Sequence, residues 1–145
     1  MPDSFLYERS TFIMTIEDLK KRAQDRPGFI SLVGINFLEV SLGFCKGELT
    51  VREELANPYG MVHGGCIFTL ADTIGGSAAL THGKPIVTVD SNIHYLSPAV
   101  NTTKLIAEAK EIKYGSKIAV YEVNIMNDTG DLLATSTMSY FILEE

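Results

Sequence analysis

Apolar residues recur along this chain at two different spacings, and each change of spacing marks a change of predicted element. The first helical signal is Thr15 followed three residues later by Asp18. This is the pattern of a capping box, in which each side chain bonds the backbone N–H of the other residue. A short helix is therefore predicted over about residues 15–25, and Pro27-Gly28 should end it.

The segment after that helix predicts two strands joined by a turn. The chain is rich in Ile, Val, Leu and Phe from residue 29 to about residue 40. Residues 48–53 then alternate polar with apolar side chains, as a half-buried strand does. Gly43 lies between the two runs and suits a turn. We therefore expect a β-hairpin here.

Residues 64–80 form a segment of a different kind, with helical spacing and almost no charge. The side opposite its apolar face carries small or apolar residues where a solvated helix would carry Lys and Glu. Each glycine in such a helix costs about 1 kcal/mol relative to alanine, so packing on both sides must stabilise it. We expect a sheet around one side and a second subunit near the other. The apolar face consists of Ile67, Leu70, Ala71, Ile74 and Ala78.

The remainder of the chain returns to a spacing of two residues and predicts four strands. In the first of these, Val87, Val89, Ile93 and Tyr95 should share one face, and Thr88, Asp90, Asn92 and His94 the other. The other three strands are predicted near residues 104–113, 117–126 and 132–143, with turn residues between them. The order of elements indicates a single α+β domain over residues 1–145.

Composition narrows the function classes. The chain is 46% hydrophobic and 21% charged, enough apolar material for a core, and its net charge is −6. That charge argues against a nucleic-acid-binding surface, and the weakly charged stretch is too interrupted to span a membrane. Two cysteines without C-x-x-C spacing, together with an acidic start to the chain, favour the cytoplasm. His82 and His94 are isolated, with no carboxylate or Cys at ligand spacing, so no metal is predicted.

The sharpest chemical signal lies at the start of the long helix. Gly64 and Gly65 follow His63 where a loop becomes a helix, so their N–H groups lack intrahelical acceptors. These N–H groups also lie at the positive end of the helix dipole. Such groups can stabilise a developing oxyanion. Asp72 is the only Asp, Glu, Lys or Arg between Leu55 and His82. It could serve as general base on a water or attack a carbonyl itself, and the sequence does not separate these routes.

The run from Asn57 to Asp72, followed by Val87-Thr88-Val89-Asp90-Ser91-Asn92 and Tyr95-Leu96-Ser97-Pro98, resembles the hotdog-fold thioesterases of the PaaI-like (phenylacetic acid degradation) family. The resemblance implies a long central helix wrapped by a curved antiparallel sheet. It also implies a homodimer, commonly assembled further into a homotetramer, with active sites between subunits. The implied substrate is an acyl-CoA or aryl-acyl-CoA thioester. Coenzyme A is part of that substrate, so no separate cofactor is expected.

The family's functional residues fall on particular positions of this chain. The resemblance implies that Asp72 is the acidic catalyst, that the Gly64 N–H forms the oxyanion hole and that Asn57 is the assisting amide. It further implies that Thr88 supplies a nearby hydroxyl, and that His63, followed by Gly65, shapes the substrate-binding loop. The region of Lys113, Ser116 and Lys117 contacts coenzyme A phosphates in relatives, although an exposed turn is the simpler interpretation.

Other interpretations of these residues stay open. Cys66 lies in the first helical turn three residues from His63, so a Cys–His nucleophile is conceivable beside a small packed thiol. For the whole chain, the leading hypothesis is an acyl-CoA thioesterase. The alternatives are a non-catalytic acyl-CoA-binding module and a hotdog hydratase or dehydratase. The acyl group, the choice between CoA and an acyl carrier protein, and dimer against tetramer are not determined by the sequence.

Overall fold

The computed structural model describes residues 13–144, which form three helices and six strands in the order that the sequence pattern predicts, with one added helix. A single 3₁₀ turn, Glu53–Leu55, precedes the long helix. The helices are α1 (Ile16–Asp25), α2 (Phe29–Val33) and α3 (Gly64–Leu80). The strands are β1 (Ile35–Ser41), β2 (Phe44–Thr50), β3 (Ile86–Tyr95), β4 (Lys104–Tyr114), β5 (Ile118–Asn127) and β6 (Leu132–Ile142).

The start of the chain corrects one prediction and confirms another. Thr15 and Asp18 form the expected capping box at α1. Residues 29–33, however, are helical and not part of the first strand. Gly34 ends this helix in the left-handed conformation, with φ of 91° and its N–H bonded to the carbonyl of Ile30. A short apolar run fits a strand and a buried helical turn equally well, so only the glycine stop distinguishes them.

The six strands form one antiparallel curved sheet in the order β1-β2-β4-β5-β6-β3, and α3 packs against its inner face. Strand β4, which packs against α3, buries the small side chains of Ala107 and Ala109. Gly47 of β2 is the tightest point, because an added Cβ would collide with the side chain of Ile74 and lie 2.9 Å from the carbonyl oxygen of Asn36. The predicted hotdog architecture, a long helix wrapped by a sheet, is confirmed.

Strand β3 corrects the predicted assignment of faces. Its register against β6 shifts between Thr88 and Asp90, so the strand contains a bulge at Val89. An extra residue reverses the alternation beyond it. Thr88 before the bulge and Tyr95 after it therefore both point toward α3, although strict alternation places them on opposite faces. β3 is also an edge strand, paired only with β6, and most of its residues are exposed.

The C-terminal end of α3 is tied to the rest of the fold through Thr81. Its hydroxyl accepts the N–H of Gly43 at 2.8 Å and donates to the carbonyl of Ala78 at 2.6 Å, and its carbonyl accepts the N–H of Met14 at 3.2 Å. Thr81 is fully buried. Within residues 13–144, no helix has the length and apolar character that crossing a membrane requires.

Candidate active site

The loop that leads into α3 is organised by Asn57. Its side-chain oxygen accepts the backbone N–H groups of Tyr59 at 2.9 Å and Met61 at 3.1 Å. Its own backbone N–H donates to the carbonyl of Met61 at 2.7 Å. These bonds fold the loop into a tight turn, as Asn side chains commonly do. The carboxamide oxygen of Asn57 is thus occupied locally, and its nitrogen is the part available to another group.

His63 caps the start of the long helix. Its Nδ1 accepts the N–H of Gly65 at 2.8 Å, and its backbone carbonyl accepts the N–H groups of Cys66 and Ile67. None of the hydrogen bonds formed among residues 13–144 uses the N–H of Gly64. Of the two candidate oxyanion donors, the Gly65 N–H is therefore occupied and the Gly64 N–H is available. This geometry fits the interpretation of His63 as a residue that shapes the loop.

Asp72 lies two turns further along the helix, half-buried, with its two carboxylate oxygens in different surroundings. Oδ1 accepts the hydroxyl of Thr88 at 2.9 Å and lies 3.3 Å from the hydroxyl of Tyr140. The Tyr140 hydroxyl also lies 3.0 Å from the backbone carbonyl oxygen of Asp72. Oδ2 accepts no hydrogen bond from any residue of the described part of the chain. One oxygen is thus anchored, and the other is open.

Tyr140 is a contact that the sequence analysis missed. Burial, followed by the negative charge of Asp72 and the hydrogen bond to it, raises the pKa of Tyr140 far above its ordinary value. The hydroxyl therefore stays protonated and acts as a donor. One signal could have revealed it: the pair Gly75-Gly76, which begins three residues after Asp72, because glycines inside a helix often mark the close approach of another group.

Strand β3 contacts both the start of α3, at Gly64, and Asp72 two turns further along that helix. Thr88, near its beginning, holds Asp72, and Tyr95, at its end, donates its hydroxyl to the carbonyl of Gly64 at 2.8 Å. Gly64 and Asp72 are eight residues apart in α3, which is about 12 Å along a helix axis. A single carbonyl group cannot contact both of them within one chain.

The three residues considered for coenzyme A phosphates, Lys113, Ser116 and Lys117, are exposed around the β4–β5 turn. Thr88, Tyr140 and Ala119 lie opposite one another on adjacent strands. Lys117 precedes Ala119 by two residues, or about 7 Å along a strand. The β4–β5 turn therefore lies about 7 Å along the sheet from the residues Thr88 and Tyr140 that contact Asp72. A contact between this turn and a substrate stays a prediction.

Cys66 does not have the surroundings of a nucleophile. The thiol is half-buried, and burial raises its pKa, with the charge of Arg52 acting weakly in the opposite direction. The Nδ1 of His63 is bonded to Gly65 and not to sulfur. The other thiol, Cys45, is buried in the core, where its pKa rises to about 12. Across residues 13–144 there is no cluster of three His, Cys, Asp or Glu side chains that could hold a metal ion.

Comparison with known proteins decides the family. The model of the thioesterase superfamily matches residues 59–134, just over half of the chain, and this range includes the helix start, Asp72 and Thr88. The chain belongs to the thioesterase superfamily. The prediction that it is a thioester hydrolase is therefore confirmed.

Two individual relatives are also similar to this chain in sequence. A protein of Archaeoglobus fulgidus, named provisionally as an esterase, is 32% identical to this thioesterase over 130 residues, which cover 90% of this chain and 84% of its own. Human acyl-coenzyme A thioesterase 13 is 40% identical over 90 residues, which cover 60% of this chain and 64% of its own.

Solved structures agree on the fold. The Escherichia coli PaaI protein of the phenylacetic acid degradation operon matches with a TM-score of 0.83, covering 88% of this chain and 92% of its own, at 23% identity. A Streptococcus mutans protein solved with bound acetyl CoA matches with a TM-score of 0.74, covering 77% of this chain and 90% of its own, at 27% identity. The expected PaaI-like hotdog fold is thus confirmed.

Proposed function

We propose that this thioesterase hydrolyses acyl-CoA thioesters to a free acid and coenzyme A, with Asp72 as the acidic catalyst and the Gly64 N–H as oxyanion donor. The observation that carries the proposal is the state of Asp72. Its Oδ1 is anchored by the hydroxyls of Thr88 and Tyr140, while Oδ2 accepts no hydrogen bond from residues 13–144. A carboxylate held in one orientation with one free oxygen suits either proton removal or direct attack.

The reaction can follow two routes on this geometry. In both, the Gly64 N–H donates a hydrogen bond to the thioester carbonyl oxygen, which gains negative charge as the carbonyl carbon is attacked. In the first route Asp72 removes a proton from a water that attacks the carbon, and collapse of the tetrahedral intermediate expels the CoA thiolate. In the second, Oδ2 attacks the carbonyl carbon, and collapse of the tetrahedral intermediate expels the CoA thiolate and leaves a mixed anhydride. Water then hydrolyses this anhydride to the free acid and the regenerated Asp72 carboxylate. Both routes consume one water and release one acid and one thiol.

The site is completed by a second copy of the chain in this proposal. Gly64 and Asp72 lie too far apart in one chain, but β3 offers a free edge that a second β3 can pair with antiparallel. A two-fold axis near the middle of that strand places the Tyr95 end of one copy beside the Thr88 end of the other. Gly64 and Asn57 of one copy then approach Asp72 of the second. Further pairing of dimers into a tetramer stays a prediction.

Coenzyme A as the carrier of the acyl group is supported by two comparisons and one surface feature. A relative is named acyl-coenzyme A thioesterase 13, and a structural neighbour was solved with acetyl CoA. Lys113 and Lys117 supply positive charge on a protein whose net charge is −6, and phosphates favour such residues. CoA is substrate here, with no separate cofactor, and a cytoplasmic location stays a prediction.

The first test replaces Asp72 by Asn and follows thiol release over a panel of acyl-CoA and aryl-acyl-CoA substrates. We expect kcat/KM to fall by roughly 10²–10⁴-fold, the usual contribution of a general base. Asp25→Asn, which removes an exposed carboxylate of α1 whose surface ion pair with Lys21 contributes little, is the matched control and should keep wild-type activity. Activity of Asp72→Asn within a few fold of wild type would remove Asp72 from the chemistry.

Two other outcomes of the same panel would favour the alternatives. Saturable acyl-CoA binding by the wild type without thiol release would indicate a binding module. Loss of enoyl-CoA absorbance without free thiol would indicate a hydratase.

A second test asks whether the site is shared between copies. Gly64→Pro removes the donor N–H at a first helical position where proline is well tolerated. If each site joins Gly64 of one copy to Asp72 of another, unfolding and refolding a mixture of Gly64→Pro and Asp72→Asn chains restores activity. Statistical mixing gives about half heterodimers, each with one intact site, and so about a quarter of wild-type activity. No recovery in a mixture shown to exchange subunits would refute the shared site.

A further inference from the structure

We infer that Tyr140 is a positioning residue for the reaction: its hydroxyl, together with that of Thr88, holds Oδ1 of Asp72, so that Oδ2 is the oxygen that accepts the proton or attacks the thioester. This inference rests on the proposed role of Asp72. It adds a residue that neither the sequence pattern nor the family resemblance assigned.

The first argument is the convergence of two hydroxyls on one oxygen. Thr88 and Tyr140 are direct partners on adjacent strands β3 and β6. Their hydroxyls lie 2.9 Å and 3.3 Å from Oδ1 of Asp72. The Tyr140 hydroxyl also lies 3.0 Å from the Asp72 carbonyl oxygen, so it contacts the backbone and the side chain of the same residue. Such a double contact restricts rotation of the carboxylate, and small errors of orientation are costly in catalysis.

The second argument is a gap in the helix that fits this hydroxyl. A Cβ added at Gly75 would lie 2.5 Å from the Tyr140 oxygen, whereas one added at Gly76 would lie no closer than 3.6 Å to the tyrosine ring. Glycine inside a helix costs about 1 kcal/mol relative to alanine. Gly75 therefore weakens the helix locally while leaving the space through which the hydroxyl reaches Asp72.

The third argument concerns the direction of the hydrogen bond. Burial and the neighbouring carboxylate raise the pKa of Tyr140, so the hydroxyl keeps its proton at neutral pH. It can donate to Asp72 but does not compete with it as a base. This is the behaviour that a positioning residue requires.

A purely structural tyrosine is the competing explanation, and the chain provides a close comparison. Tyr121 is also buried and packs edge-to-face against Tyr140, with ring centroids 6.0 Å apart. Its hydroxyl donates to Glu111 at 2.9 Å and not to Asp72. Tyr121→Phe and Tyr140→Phe thus remove the same buried hydroxyl group from neighbouring rings, but only the second removes a contact to Asp72.

The test compares these two variants by steady-state kinetics and thermal melting. We expect Tyr140→Phe to lower kcat by roughly ten- to a hundredfold with KM within about twofold, as misplacement of a reacting group does. Tyr121→Phe should keep kcat within about twofold of wild type. The two variants should change the melting temperature by similar amounts. Equal kcat values for the two variants would overturn the inference.

A second pair of variants displaces the hydroxyl without removing it. Gly75→Ala should lower kcat in the same way as Tyr140→Phe, because its methyl group occupies the place of the hydroxyl. Gly76→Ala adds the same methyl in ordinary contact distance and should retain kcat. Should Tyr140→Phe fail to fold, Thr88→Val on the exposed strand tests the same anchoring, and unchanged kcat in that variant would overturn it.

The Asp72→Asn background separates this inference from the proposed function. If Tyr140 acts through Asp72, Tyr140→Phe causes no further loss of the residual activity in that background. An equal loss in both backgrounds would mean a general structural effect and would refute the inference alone. Full activity of Asp72→Asn would instead refute the proposed function.

Discussion

The two ends of α3 are held in different ways. Its reactive end, residues 64–72, includes the Gly64 N–H, which binds no acceptor within residues 13–144, and a half-buried carboxylate with one open oxygen. Its anchored end, residues 74–82, is almost wholly buried, and its last polar side chains are all hydrogen-bonded. Unsatisfied polar groups destabilise a protein, so they persist where the surrounding structure holds them in place. The comparison indicates that close packing at one end of the helix permits reactive groups at the other.

The largest expected effect comes from disturbing the packing of the anchored end. Gly47→Ala places a methyl group against Ile74 and 2.9 Å from the Asn36 carbonyl, where the backbone cannot yield easily. We expect the free energy of unfolding to fall by about 1–3 kcal/mol, as overpacked cores show. Urea titration measures it. Gly76→Ala, inside α3, whose added Cβ meets no atom closer than 3.6 Å, is the control and should not lower the stability.

The next effect comes from removing a buried acceptor at the same end. Thr81→Val keeps the shape of the side chain but leaves the Gly43 N–H without its acceptor. An unsatisfied buried donor costs about 1–3 kcal/mol, so the melting temperature should fall while kcat stays near wild type. Thr81→Ser retains the hydroxyl and should recover most of the loss. A large fall in kcat for a still-folded Thr81→Val would show that the anchored end also affects the reactive end.

At the reactive end, His63 offers a smaller and more diagnostic change. His63→Ala removes the acceptor of the Gly65 N–H and should cost about 1 kcal/mol of stability, the usual value of a helix N-cap. His63→Asn supplies another capping side chain and should keep most stability and activity. If both variants lose activity equally, the imidazole has a chemical role that capping does not explain.

The smallest expected effect concerns the contact between His82 and Glu111 at the anchored end. The Nε2 of His82 lies 2.6 Å from Oε1 of Glu111, and the imidazole stacks on the ring of Tyr114. Both side chains retain some solvent contact, so His82→Gln should cost less than about 1 kcal/mol. Thermal melting checks it. A loss as large as that of Thr81→Val would show that the pair is a main anchor.

Some of this molecule could be predicted from local spacing alone. The period of apolar residues gave the long helix and the four strands after it, since amphipathic patterns express which side of an element is buried. The solitary Asp72 and the glycines after His63 marked the site, because an acid in an uncharged helix and free N–H groups at its start are visible in the residues themselves. The apolar run of residues 29–33 was misassigned, because such a run does not by itself specify a strand.

The order of elements, the long helix and the candidate acid were determined by the sequence alone. Only the tertiary structure decided how the acid is held. A bulge at Val89 turned Thr88 and Tyr95 to the same side of β3, and strand β6 brought Tyr140 to a residue 68 positions earlier. Periodicity describes neighbours along the chain. A bulge and a long-range hydrogen bond instead depend on how distant segments pack, and no local pattern records that.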